Sequence, residues 1–277
     1  MGLSEGGRRS PTDPAGKWKI QQSDAMGNLI RVIEPNPAGG ADLITNYTYS
    51  VVGQLTGVSM TRDGVTQTRT FVYSGSNLIS TTNPENGTVT YEYDGAHHVT
   101  KRTDAKGQET RYTYDSYGRL TEVQHWAVSW DPGTGTMYMH EQTAQRVHYY
   151  YDTNPLNSSY SQNAVGRLTA VTFPSGHNFQ YMYSYNTAGR VTAQQFSDGT
   201  QIFDTGYSWD NEGRMTQINY PGIAGVAPVY QMTFDAMGRV GTMVDTVYGQ
   251  VASASYGVAG EVTELWYFGQ HECGFLA

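Results

Sequence analysis

A single cysteine, Cys273, stands in 277 residues, so no disulfide can form within the chain. Only 15% of residues are charged, and the formal net charge is −8. No basic stripe exists to track phosphates, which argues against nucleic acid as a partner. No apolar run approaches the ~18 residues that a membrane helix needs. The opening MGLSEGGRRSPTDPAGKWK has no apolar core of the kind a secretory signal peptide carries. Helix signals are scarce too: Gly and Pro interrupt every window in which a 3.6-residue period could develop. The chain is nonetheless not poor in ordering residues. It has 22 tyrosines and 32 glycines, and that density of aromatics excludes a disordered composition. The glycines have no three-residue period, which excludes a collagen-like chain.

What is present is a repeat. RYTYDSYGRLTEV (111–123) reads as an alternating run, a turn at Asp115-Ser116-Tyr117-Gly118, and a second alternating run. Anchored on Gly118-Arg119, equivalent steps fall at Gly27, Gly53, Ser76, His97, Gly166, Gly189, Gly213, Gly238 and Gly260. They lie 21 to 26 residues apart, except for one gap of 48 between Gly118 and Gly166. An aromatic most often stands four positions before the anchor (Tyr49, Tyr93, Tyr114, Tyr185, Trp209, Phe234, Tyr256), commonly followed by Asp or Asn. At Ser76 the step is one residue short, with Tyr73 three before it. A fixed period of this length marks a repeat architecture.

Between anchors lies a second turn, as in Asp104-Ala105-Lys106-Gly107 or Asp198-Gly199. Each repeat therefore reads strand, turn, strand, turn. The expected fold is all-β: an antiparallel meander of roughly 20 strands. Adjacent strands rotate by about −20 to −25°, so a sheet of this length is expected to form a curled strip or a partial β-shell or barrel. Residues 1–16 read as a flexible N-terminal segment, 17–268 as the β-domain with an irregular insertion at 125–165, and 269–277 as a C-terminal tail. A partial strip leaves edge strands open, so self-association is expected through those edges.

The stretch 91–123, YEYDGAHHVTKRTDAKGQETRYTYDSYGRLTEV, resembles the YD-repeat, or Rhs, family. The family motif, Tyr-x-Tyr-Asp-x-x-Gly-Arg-Leu, is matched best by Tyr112 to Leu120. It is partly matched by Tyr183–Val191, Tyr207–Met215 and Met232–Val240. The resemblance covers about residues 17–268. It implies a β-sheet strip spiralling into a hollow shell, of which this length would form part of a wall. It also implies a scaffold or interaction surface of a larger secreted or cell-surface effector. The implied partners are other YD-repeat segments and a toxin cargo, and related repeats form extracellular adhesion barrels.

The 48-residue gap is where a site would be grafted, since scaffolded loops carry function. It contains Trp126, Trp130 and Tyr138, an aromatic platform for a glycan or a partner chain, or a pin holding the insertion to the sheet. It also contains His140, Glu141 and His148. The His-Glu-x-x-His spacing fails, because residue 144 is Ala. On strands, His140 and His148 would approach only through a hairpin. Asp131-Pro132-Gly133-Thr134-Gly135 reads as a hairpin turn, and His97-His98 as a variant of the anchor turn. Ser175-Gly176-His177 belongs to a repeat turn, and His271-Glu272-Cys273 pairs a thiol with a His near the C-terminal end. No phosphate-cradling loop or cofactor motif is present. The reading that follows is a non-catalytic wall segment. Its rivals are a hydrolase or lyase housed at 125–165 and a carbohydrate-binding or adhesion module. The turn-rich stretches 131–135 and 154–162 are expected to be the least stable part.

Overall fold

The computed structural model describes residues 18–62, 64–174, 178–222, 227–268 and 273–275. It is all-β, with 22 strands and one 3₁₀ turn at Thr143–Gln145. Every pairing among the described residues is antiparallel and joins strands that follow one another in the chain, apart from one strand at the insertion. No helix among them is long and apolar enough to cross a membrane. The N-terminal segment, Ser175-Gly176-His177, His271-Glu272 and the Cys273 side chain lie outside the described residues.

The chain divides into two compact units, residues 1–119 with 124–142, and residues 120–123 with 143–277. In the first unit the meander runs from Ile20–Ser23 to Glu109–Tyr114. Alternation sets two unlike faces. Thr68, Thr70, Val72 and Ser74 of Val65–Ser74 are exposed, while Arg69, Phe71 and Tyr73 between them are half-buried. Val32 and Val89 are the buried apolar residues here, at 5% and 3% exposure.

The second unit has the denser core. Thr169, Ala170, Val171, Met182, Ser184 and Ser197 are all buried. Rings line up from strand to strand across one face: Tyr181 lies 4.9 Å from Phe196, and Phe196 lies 6.0 Å from Phe203. Such pairs are the natural unit of sheet stabilisation.

The 48-residue gap resolves into two separate additions. The first is a hairpin in the first unit. Leu120–Asp131 continues past the body of its repeat and pairs with Thr136–Glu141, from Trp126↔Glu141 to Asp131↔Thr136. The second lies inside a single anchor turn. Tyr151 pairs with Leu168, and Asp152 N–H donates to the Arg167 carbonyl at 3.1 Å, as Asp115 does to Arg119. Tyr151-Asp152 is thus the aromatic–acid pair of the Gly166 anchor, with residues 153–165 inserted where other turns hold two residues.

That inserted loop carries more local bonds than the turn-rich composition of 154–162 suggests. Asn154 is 4% exposed, and its side-chain Oδ1 accepts from Leu156 N at 2.9 Å and Asn157 N at 3.2 Å. Thr169, fully buried, donates to the Thr153 and Tyr150 carbonyls. Gln162 N donates to Ser184 Oγ, and Asn163 to the Tyr185 carbonyl. The loop is tied to the sheet through Thr153, Gln162 and Asn163 and bonded within itself at Asn154 and Asn157, while residues 155–159 are exposed.

Candidate functional site

The recurring feature is the seam between one repeat and the next. At Asp115 the geometry is complete. Its Oδ1 accepts from Tyr117 N at 2.9 Å and Arg119 N at 3.0 Å, and its Oδ2 from Arg119 Nε at 2.7 Å. Asp115 N donates to the Arg119 carbonyl, and Gly118 N to the Asp115 carbonyl. The same carboxylate pattern recurs at Asp235 and, with its ring or side-chain partner changed, at Asp24 and Asp94. The hydrogen bonds show in the acidities. The His98 ring and backbone hold Asp94 below the ordinary carboxyl range. Burial pushes Asp115 up, but donation from Arg119 overcomes it, so the net shift is downward.

The turn ends in a left-handed residue: Gly118 has φ +75° and Gly189 φ +81°. Glycine also leaves room for a side chain of the neighbouring repeat. A Cβ on Gly189 would come within 2.5 Å of Arg167 Nη2, and one on Gly118 within 2.9 Å of His98 Nε2. The cation of one turn lies under the glycine of the next. The guanidiniums also cover aromatic faces: Arg239 lies 4.3 Å from the Tyr256 ring and Arg214 4.8 Å from Phe234, a cation–π geometry. His98 takes this place over Tyr114, with ring centroids 4.7 Å apart. The variant turn is itself left-handed at His97, φ +67°. In the short repeat the left-handed residue is Gly75, φ +59°, one before Ser76.

The anchor aromatic closes the seam. Its register slips by one, as between Thr48↔Gly57 and Tyr49↔Leu55, a β-bulge. Its donor then reaches back to a carbonyl of the preceding repeat. Tyr49 donates to Leu29 O at 2.9 Å, Tyr93 to Leu78 O at 2.7 Å, and Tyr114 to Val99 O at 2.9 Å. Tyr185 donates to Leu168 O, Trp209 Nε1 to Val191 O, and Tyr256 to Val240 O. In each case the acceptor is the apolar residue that follows the earlier anchor. Phe234 stands at the same place with no donor. Burial pushes the Tyr114 and Tyr185 phenols above their ordinary pKa, keeping both as neutral donors.

The residues singled out in the insertion are dispersed. Trp126 and Trp130 share one face of the hairpin with Met137, Met139 and Glu141, while Tyr138 lies on the other face with His140. The three aromatics therefore do not form one platform. Arg111 covers Trp126 at 4.2 Å and pins the base of the hairpin. His140 Nε2 bonds the Gln142 side-chain amide at 2.7 Å. Glu141, its neighbour along the strand, faces the opposite way. His148 belongs to the second unit, with Nε2 3.8 Å from Glu122 Oε1, a carboxylate that also meets Arg146 Nε at 3.3 Å. Among the described residues no three His, Cys, Asp or Glu side chains are grouped to hold a metal. Sequence inspection missed the Tyr151-Asp152 pair, although the string HYYYD was a signal for it.

A family model described as RHS Repeat matches residues 73–109, 93–127, 163–201 and 185–222. No curated protein matches the chain. Among solved structures, the crystal structure of TcdB2-TccC3 aligns with a TM-score of 0.61 and 14% identity, over 94% of this chain and 15% of that one. This chain thus spans a small fraction of that protein, and the likeness is one of fold. A Photorhabdus luminescens Tc holotoxin pore aligns at a TM-score of 0.29 and 12% identity, over 96% of this chain and 19% of that one. A porin-like protein from Bacteroides uniformis aligns at 0.31 and 14%, over 96% of both chains. These last two scores are too low to bear on the fold.

Proposed function

RHS repeats match residues 73–127 and 163–222, and from that premise we propose that the chain serves as a length of wall in an RHS-type shell, structural in itself and shielding an enclosed polypeptide. One observation carries this reading: the seam. Six donors from six repeats reach back to the same kind of carbonyl in the repeat before, and cations from one turn lie beneath the glycine of the next. The side chains most regularly placed in the molecule are spent on joining repeat to repeat. A nearest-neighbour array of this kind is stabilised by its interfaces, and extends by adding copies.

The test is a segment exchange. In an RHS-repeat protein that forms a complete shell, a wall segment of equal length is replaced by residues 18–268. The enclosed polypeptide should resist added protease as it does in the parent. Digestion at the rate of the free polypeptide, in a hybrid that is folded by circular dichroism, would overturn the reading.

A further inference from the structure

We propose that the open edge of Thr136–His140 is a dimer interface, pairing two-fold with the same residues of a second copy of this chain.

Among the described residues this strand pairs on one side only, with Trp126–Asp131. Thr136, Met137, Tyr138 and Met139 are all exposed in sequence. Trp130, across from Met137, is 58% exposed, and Met137 60%. A two-stranded hairpin is marginal by itself, and an open edge is ordinarily blunted by Lys, Pro, a bulge or shortness. The other terminal strand of this unit, Ile20–Ser23, is four residues long, which is one such device. Thr136–His140 carries no Lys, no Pro and no charge, and its register with Trp126–Asp131 is unbroken.

A second copy fits this edge better than an arbitrary strand, for two reasons. The first is charge. The chain carries a net −8, yet from Trp126 to His140 the only carboxylate is Asp131, and Glu141 lies beyond the residues that the symmetric register pairs. That carboxylate is already turned into its own hairpin loop, accepting from Gly133 N and Thr134 Oγ1, both at 2.8 Å. Two copies therefore meet here without the repulsion that separates them elsewhere.

The second reason is parity. Pairing centred on Tyr138 sets Met137 of one copy opposite Met139 of the other. Because cross-strand partners share a face, Val128, Trp130, Met137 and Met139 then continue as one apolar face over four strands. A slip of one residue would set that face against Tyr138 and His140. The symmetric register is isologous and closes at two copies. A contact of one short strand falls at the small end of protein interfaces, so a weak dimer is expected, about micromolar in Kd.

The test uses the full chain with Cys273→Ser, to leave no native thiol. Sedimentation velocity from about 1 to 200 µM should show a monomer–dimer equilibrium. Tyr138→Cys should then yield a disulfide-linked dimer under mild oxidation, since the two-fold sets residue 138 against itself. Met137→Lys with Met139→Lys should raise the dimer Kd at least tenfold, with the far-UV spectrum and melting temperature retained. A monomer throughout the range would overturn the proposal. So would a dimer indifferent to both lysines, or cross-linking through Gln21→Cys but not Tyr138→Cys. Should the double lysine variant misfold, the Tyr138→Cys result decides alone.

Discussion

Replacing Tyr114 by Phe removes one atom and tests the seam directly. The hydroxyl donates to the Val99 carbonyl at 2.9 Å, in a part-buried setting. Val99 is the bulge partner of Tyr93, so this carbonyl lies where the regular ladder slips. A neutral hydrogen bond contributes about 1 kcal/mol net, and an acceptor left bare and fully buried costs about 1–3. Partial exposure lets water take some of the loss, which places Tyr114→Phe at about 1 kcal/mol. Tyr114→Ala also loses the ring and its stack against His98, and should cost about 3 kcal/mol. The natural complement is Phe234, which occupies the same place with no donor; Phe234→Tyr should gain about 1 kcal/mol. Seams this far apart share no partners, so Tyr114→Phe and Tyr256→Phe should add. Urea unfolding, followed by tryptophan fluorescence and circular dichroism, reads each value. Hydroxyl removal at Tyr114, Tyr185 and Tyr256 with no measurable loss, alongside a costly Tyr114→Ala, would mean that ring packing alone holds the repeats and that the back-bonds are incidental.

Gly189→Ala should cost about 2–3 kcal/mol, combining the left-handed backbone penalty with the contact against Arg167. Adding Arg167→Ala should recover about 1 kcal/mol of that, and strict additivity of the pair would refute the contact. Acid should release the turns together. Asp24, Asp94, Asp115 and Asp235 all titrate below their ordinary value, so on acidification the unfolded chain takes up protons first. Their stabilisation is full above about pH 4 and is lost as the pH falls through the lowered values. A melting temperature that begins to drop at pH 6 would point to other groups. Limited proteolysis should cut first at 131–135, the tip of the hairpin, and spare 154–162. First cuts near Asn157 would mean that the loop's bonds do not persist in solution.

The repeat and its strands were legible because period, alternation and turn chemistry all point the same way along the chain. Tyr112 and Tyr114 alternate with polar residues, Asp115 and Gly118 mark a turn, and each signal is local. The seam was only half visible. The aromatic four before the anchor could be seen, but its acceptor lies about 15–20 residues upstream, and no local rule connects Tyr114 to Val99. Arg167, Arg190 and Arg214 read as ordinary turn-flanking cations. Their position under the next glycine depends on the pitch between strands, which a linear pattern does not encode. The insertion was only partly legible for a similar reason. Asn154-Pro155-Leu156-Asn157 has the composition of a mobile loop, and the bonds that tie the loop to Thr169 and Ser184 come from Thr153 and Gln162 on either side of it. Trp126, Trp130 and Tyr138 were grouped by proximity in sequence, whereas hairpin parity separates them.

The turn between Asp152 and Gly166 has a consequence for how such an array can change. Its two ends are held by the same backbone bond that closes the two-residue turns, so the strands on either side do not register the extra length. Closing a chain of that size in place of a short one costs only about 1 kcal/mol in loop entropy, and the loop offsets this with its own bonds to the sheet. Every repeat therefore offers a socket at its anchor turn. Foreign segments can be spliced in there one at a time, each judged on its own contacts, while the pitch of the array and the partners of every other repeat stay as they were.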